Sequence, residues 1–85
     1  MQLIVGGDAE KGLRAMPDRD RRRLLAKLAE FAVDPFAPHP WASPMRGEPD
    51  QVRVRQGDWR GVLLIVRARD AVVLERVAHR REVYR

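Results

Sequence analysis

Between residues 51 and 56 the chain alternates Val52 and Val54 with Arg53 and Arg55. A period of two puts the valines on one face of a strand and the arginines on the other. The next run, WRGVLLIVR at 59–67, is apolar at almost every position, which predicts a central strand covered on both faces. A third run, AVVLERVA at 71–78, follows after ARD. The short separations, Gln56-Gly57-Asp58 and then ARD, predict an antiparallel meander of three strands near 51–56, 59–67 and 71–78. Toward the start, Met1–Val5 reads as a short strand and Gly6-Gly7 as a break. Ala9, Leu13 and Met16 then fall at i, i+4 and i+7, predicting a helix near 8–16 with Asp8 as its N-cap. Pro17 interrupts it. Either Pro17 opens a second helix at its first position or Asp18 caps that helix. Leu24, Leu28 and Phe31, widened by Leu25 and Ala32, are the apolar stripe of this helix over 18–33, which must end at Asp34-Pro35. Residues 35–50 hold five prolines and predict a loop, pinned to the core by Phe36, Trp41 and Met45. The resulting order is β-α-α-β-β-β, an α+β fold of two layers. A helical hairpin covers one sheet face. The other, where Arg53 and Arg55 point, is left partly open.

Composition narrows the class. Eighty-five residues with 45% hydrophobic positions predict one globular domain over 1–85, with a modest core that would gain from a partner. The absence of cysteine excludes a disulfide framework and a thiolate metal site, and fits a reducing cytosol, so a cytoplasmic protein is expected. The opening MQLIVGGDAEKG lacks the basic start and long apolar run of a signal peptide, and no run is long enough to span a membrane. His39 and His79 stand 40 residues apart, so no metal-ligand cluster and no cofactor is expected.

Charge changes the picture most. Residues 1–50 carry eight basic and eight acidic side chains; residues 51–85 carry nine arginines and four acids, so the whole net charge of +5 lies there. Fifteen of the 17 basic residues are arginine, whose planar fork matches phosphate bidentately. A GC-rich genome explains arginine over lysine but not this placement. A nucleic-acid partner is the first expectation. Candidate contacts are Arg53, Arg55 and Arg60 on the strands and Arg80 and Arg81 near the end. His79 is the one nearby group that titrates around neutrality. Trp41 and Trp59 read as core or loop anchors before base-stacking platforms, and the Arg19–Arg23 run as a solvated helix face.

RVRQGDWR, followed some twenty residues later by HRREVYR, in a chain of this element order, resembles the RelE/ParE superfamily of type II toxin–antitoxin toxins, the RelE branch more than the ParE branch. The resemblance runs from about Leu3 to Arg85. It implies a RelE-like fold and a metal-independent endoribonuclease that cuts mRNA, usually on the ribosome, by attack of the RNA's own 2′-hydroxyl. It also implies a cognate acidic antitoxin bound in a hetero-oligomer. By position, Arg60 would hold the scissile phosphate, Arg53 matches a basic residue often lysine in relatives, and Arg80 matches the arginine at the end of the last strand. Tyr84 matches a terminal tyrosine that stacks on a base or assists proton transfer. Two positions depart: Gln51 stands where relatives carry a second lysine, and Ser43 where another branch carries a glutamate base. Arginine holds its proton above about pH 12 and is a poor base, which leaves His79 as the candidate. A ParE-like gyrase poison and a catalytically inactive binding module are the alternative functions.

Overall fold

The computed structural model describes residues 1–83. Strand β1 (Gln2–Val5) leads into helices α1 (Gly7–Ala15) and α2 (Asp18–Val33), and then come strands β2 (Ala42–Met45), β3 (Glu48–Gln56), β4 (Trp59–Val66) and β5 (Ala71–His79) and a short helix α3 (Arg80–Val83). The strands form one sheet in the order β1-β5-β4-β3-β2. The expected meander is β3-β4-β5, with β4 central as its apolar run predicts. β1 joins as the outer neighbour of β5, and the two run parallel.

Both long helices pack on one face. Ala9, Leu13 and Met16 from the α1 side and Leu24, Leu28 and Phe31 from α2 bury against Val52, Val54, Leu63, Ile65, Val72, Leu74 and Val77. Leu28, Leu63 and Leu74 are completely inaccessible to solvent. Each buried Leu of this kind stabilises by roughly 1.5–3 kcal/mol relative to leaving it exposed. Arg21 ties the two helices together. Its guanidinium pairs with Asp18 and donates to the Leu13 and Met16 carbonyls, at 3.4 Å each, at the end of α1. The Leu13 carbonyl also accepts the Met16 N–H, at 3.1 Å, and a cation at this end of α1 offsets the negative end of the helix dipole.

Four expectations need correction. Asp8 is not the N-cap of α1; extended Gly6 is, its carbonyl accepting the Glu10 N–H at 3.0 Å, and Asp8 and Glu10 lie in the first turn, where carboxylates meet the positive end of the dipole. The start of α2 fits neither alternative, because Pro17 itself is the N-cap and the helix begins at Asp18. The proline segment is not all loop. Residues 42–45 form an edge strand, joined to a longer β3 through Gly47 at φ 78°. Proline is tolerated there because Pro44 sits on the sheet's edge, where a missing donor costs little. Phe36 does not pin the segment either: it is 57% exposed, with the Arg67 guanidinium 4.6 Å from its ring centre. Trp41 is the anchor, against Phe31 and His39.

Candidate nucleic-acid interface

The helices leave the second face of the sheet open, and the strand registers decide what stands on it. Val52 and Val54 point to the helices, so Arg53 and Arg55 point away. On β4, Gly61, Leu63 and Ile65 are buried beneath the helices, so Arg60, Val62 and Leu64 belong to the open face. One cross-strand row therefore reads Ser43, Arg53, Val62, Arg76 from β2 to β5. The neighbouring row reads Arg55, Arg60, Ala78. Arg53, Arg55 and Arg60, with Trp41 and Ser43, line a shallow groove of about 340 Å³.

Electrostatically the row is unfavourable. Arg55 and Arg60 are direct cross-strand partners, which places their Cβ atoms about 5 Å apart, and like charges so placed destabilise a sheet. Among the described residues, no carboxylate lies within ion-pair distance of Arg53, Arg55 or Arg60. Arg60 is held by the chain itself. Its Nη1 donates to the Gly57 carbonyl at 2.7 Å and to the Trp59 carbonyl at 3.0 Å. The two-residue turn makes this possible: Gly57 takes φ 57°, as the first central position of a tight hairpin turn requires, and folds its carbonyl back toward β4. Nη1 is thus spent on the backbone. The Nη2 and Nε donors are left for a ligand.

The terminal candidates lie elsewhere. Trp59 faces the helix layer, and His79, its ladder partner, packs edge-on against it with ring centres 5.4 Å apart. The His79 Nδ1 accepts the Arg81 N–H at 3.2 Å. His79 therefore belongs to the opposite side of the sheet from Arg53, Arg55 and Arg60. Arg80 starts α3, with its N–H on the Asp58 carbonyl at 2.7 Å and its Nη1 3.8 Å from the Asp58 carboxylate, beside the β3–β4 turn. Arg81 is exposed on α3. Tyr84 lies outside the described residues.

Arg76 had no reading from the sequence, and Ser43 was read only as a departure from the resemblance. Arg76 reaches the Val62 row because β5 carries an irregularity opposite Val62/Leu63, which leaves Glu75 and Arg76 both exposed. The break in alternation at Glu75-Arg76 was the available signal. Ser43 enters only because the proline segment closes as a strand on β3.

Neither a protein-family model nor a curated protein matches the sequence. Solved structures do. The isolated RelE toxin of E. coli is 26% identical with a TM-score of 0.78, over 98% of this chain and 89% of that one. The toxin–antitoxin complex RelB-RelE of Methanococcus jannaschii matches at 20% identity and a TM-score of 0.78, over 95% and 94%. The intact E. coli RelBE complex matches at 22% and 0.77, over 92% and 94%. With coverage nearly complete on both sides of each comparison, the protein has the RelE toxin fold.

Proposed function

We propose that this chain is the toxin of a type II toxin–antitoxin pair and that it cleaves mRNA, on the ribosome, without a metal. The observation that carries the reading is the unneutralised row of Arg55 and Arg60 beside Arg53 in a groove on the open sheet face. A sheet keeps like charges side by side when a polyanion completes them. In the proposed reaction the RNA's 2′-oxygen attacks the adjacent phosphorus as its proton leaves. The bond from phosphorus to the 5′-oxygen breaks, and that oxygen takes up a proton. The products end in a 2′,3′-cyclic phosphate and a 5′-hydroxyl. Arg60 holds the pentavalent phosphate through Nη2 and Nε while its turn fixes Nη1. Arg53 and Arg55 hold the flanking phosphates. Arginine offers no general base at neutral pH, so the groove's described residues act through charge stabilisation. His79, on the helix side against Trp59, supports the strand end that carries Arg80 and Arg81.

The direct test is cleavage of mRNA on translating ribosomes, wild type beside Arg60→Ala. Loss of one pre-organised cation at a phosphoryl transition state costs about 10²–10³-fold in rate; because Arg60 is half-buried and bonded to its own turn, Tm measured beside the rate verifies that the variant is folded. Equal cutting by both proteins would remove Arg60 from the chemistry. Inhibition of DNA gyrase with no cutting by either would shift the function to the ParE-like alternative.

The proposed partner is a cognate antitoxin, forming a hetero-oligomer. The solved neighbours in complex hold a RelB antitoxin. Beyond the arginines, the open face continues as an apolar row of Ile4, Val73 and Leu64, closed by Gln51. Ile4 is 39% exposed. A segment with apolar side chains on this row and carboxylates over Arg53, Arg55 and Arg60 would cover both halves. Co-purification with the product of the adjacent open reading frame, lost in Ile4→Lys, is expected. Undiminished capture by that variant would place the contact elsewhere.

A further inference from the structure

The charge of the open face does not stop at the edge of the sheet. Lys27, on α2, reaches across to β3 and donates from Nζ to the Arg55 carbonyl at 3.2 Å. The same ammonium lies 5.9 Å from the centre of the Trp41 ring, and both Trp41 and Arg55 line the arginine groove. Arg23, one turn before Lys27, is close enough, together with Arg55, to act against the charged ammonium, after the larger effect of desolvation. Arg19, Arg23 and Lys27 are spaced at i, i+4 and i+8, a single line along α2 about 12 Å long. Arg19 and Arg23 are exposed, and among the described residues neither has a carboxylate within ion-pair distance. A line of cations thus passes from Arg60 and Arg55, over Lys27, onto the side of the helix, with the Asp20 carboxylate beside it, held by the Gln56 amide at 3.4 Å.

Resting on the RNA-cleaving reading above, we propose that Arg19, Arg23 and Lys27 form a second track for an RNA phosphodiester backbone, continuous with the groove through the Lys27–Arg55 contact. The occupant is RNA outside the cleaved bond, held by phosphate and not by base. Spacing supports this: two helical turns carry three cations in a line, and a flexible strand leaving the groove meets them in succession. The contacts carry no sequence information, so the track sets affinity and orientation, while the groove sets where the bond is cut.

The experiment measures binding of two uncleavable RNAs, 2′-O-methylated, of four and sixteen nucleotides, across a salt series. The short RNA fills the groove alone; the long one can reach α2. In wild type, the slope of log affinity against log salt should be steeper for the long RNA by about 0.7 for each added phosphate. Arg19→Ala/Arg23→Ala should remove about 1.4 of that slope for the long RNA and leave the short RNA unchanged. Arg14→Ala, on the other helix, should change neither. Alanine keeps α2 helical, and an unchanged Tm verifies it. If the short RNA binds but the double variant leaves the long RNA's slope intact, the track is wrong while the groove stands. If the short RNA fails to bind wild type, the RNA-cleaving reading itself falls. If the double variant weakens capture of an acidic antitoxin but not of the long RNA, the line on α2 is a protein contact and the proposal is overturned.

Discussion

Gly12→Ala separates what α1 would do alone from what it does against the sheet. In an isolated helix alanine is better than glycine by about 0.8–1.0 kcal/mol, so helix propensity alone expects stabilisation. In the folded protein Gly12 lies against β5. A Cβ placed on it would stand 2.0 Å from the Val77 carbonyl oxygen, 2.7 Å from the carbonyl carbon and 2.8 Å from the Val77 Cβ. Ordinary contact needs about 3.5 Å, and two of the three atoms are backbone, which no rotamer change can move. Relief requires α1 to lift by an ångström or more, loosening Ala9 and Leu13, which are 0% and 8% exposed. Overpacking of this kind costs typically about 1–3 kcal/mol, and a rigid backbone obstacle belongs at the upper end. The clash therefore outweighs the propensity gain, with a net loss of about 1–2 kcal/mol. In a domain of this size that lowers Tm by about 4–15 °C. Gly7→Ala is the control, since nothing lies within 4 Å of its Cβ. Thermal and urea unfolding followed by circular dichroism should show Gly12→Ala clearly less stable and Gly7→Ala nearly unchanged. A Gly12→Ala protein as stable as wild type, or more so, would refute this packing of α1 on β5.

Two further outcomes are expected. Binding of a short, uncleavable RNA should weaken with salt, and Arg53→Ala should reduce the log–log slope by about 0.7, the share of one phosphate on a single strand; an unchanged slope would take Arg53 off the RNA. The Lys27 ammonium should titrate below 10.5, through desolvation first and then the charges of Arg55 and Arg23, and Arg55→Gln should move it back up in heteronuclear NMR. Because the unfolded chain then holds the proton more tightly than the folded one, stability should rise slightly as pH climbs from the folded value toward 10.5; a Lys27 titration at or above 10.5 would contradict the cluster.

Much of the fold was legible in the sequence because its patterns are local. The period-two alternation of Val52 to Arg55 fixed which residues face the helices, and the Leu24, Leu28, Phe31 stripe fixed the buried side of α2. The apolar run of β4 from Val62 to Val66 announced a central strand, and Gly57-Asp58 announced the hairpin that holds Arg60. Arg53, Arg55 and Arg60 followed from these, since parity alone puts them on one face. What the tertiary structure decided depends on contacts between segments far apart in the chain. Pro44 obscured β2, because only a position at the sheet's edge makes a proline strand tolerable. The parallel pairing of β1 with β5 joins opposite ends of the described chain, and no periodicity encodes a neighbour. His79 was grouped with the arginines by nearness in sequence, but strand parity sends its ring to the Trp59 side. The reach of Lys27 to Arg55 and the fit of Gly12 against Val77 are set by how α2 and α1 lie on the sheet. Side-chain periodicity says which face of an element is buried; it does not say which backbone atom waits on the other side.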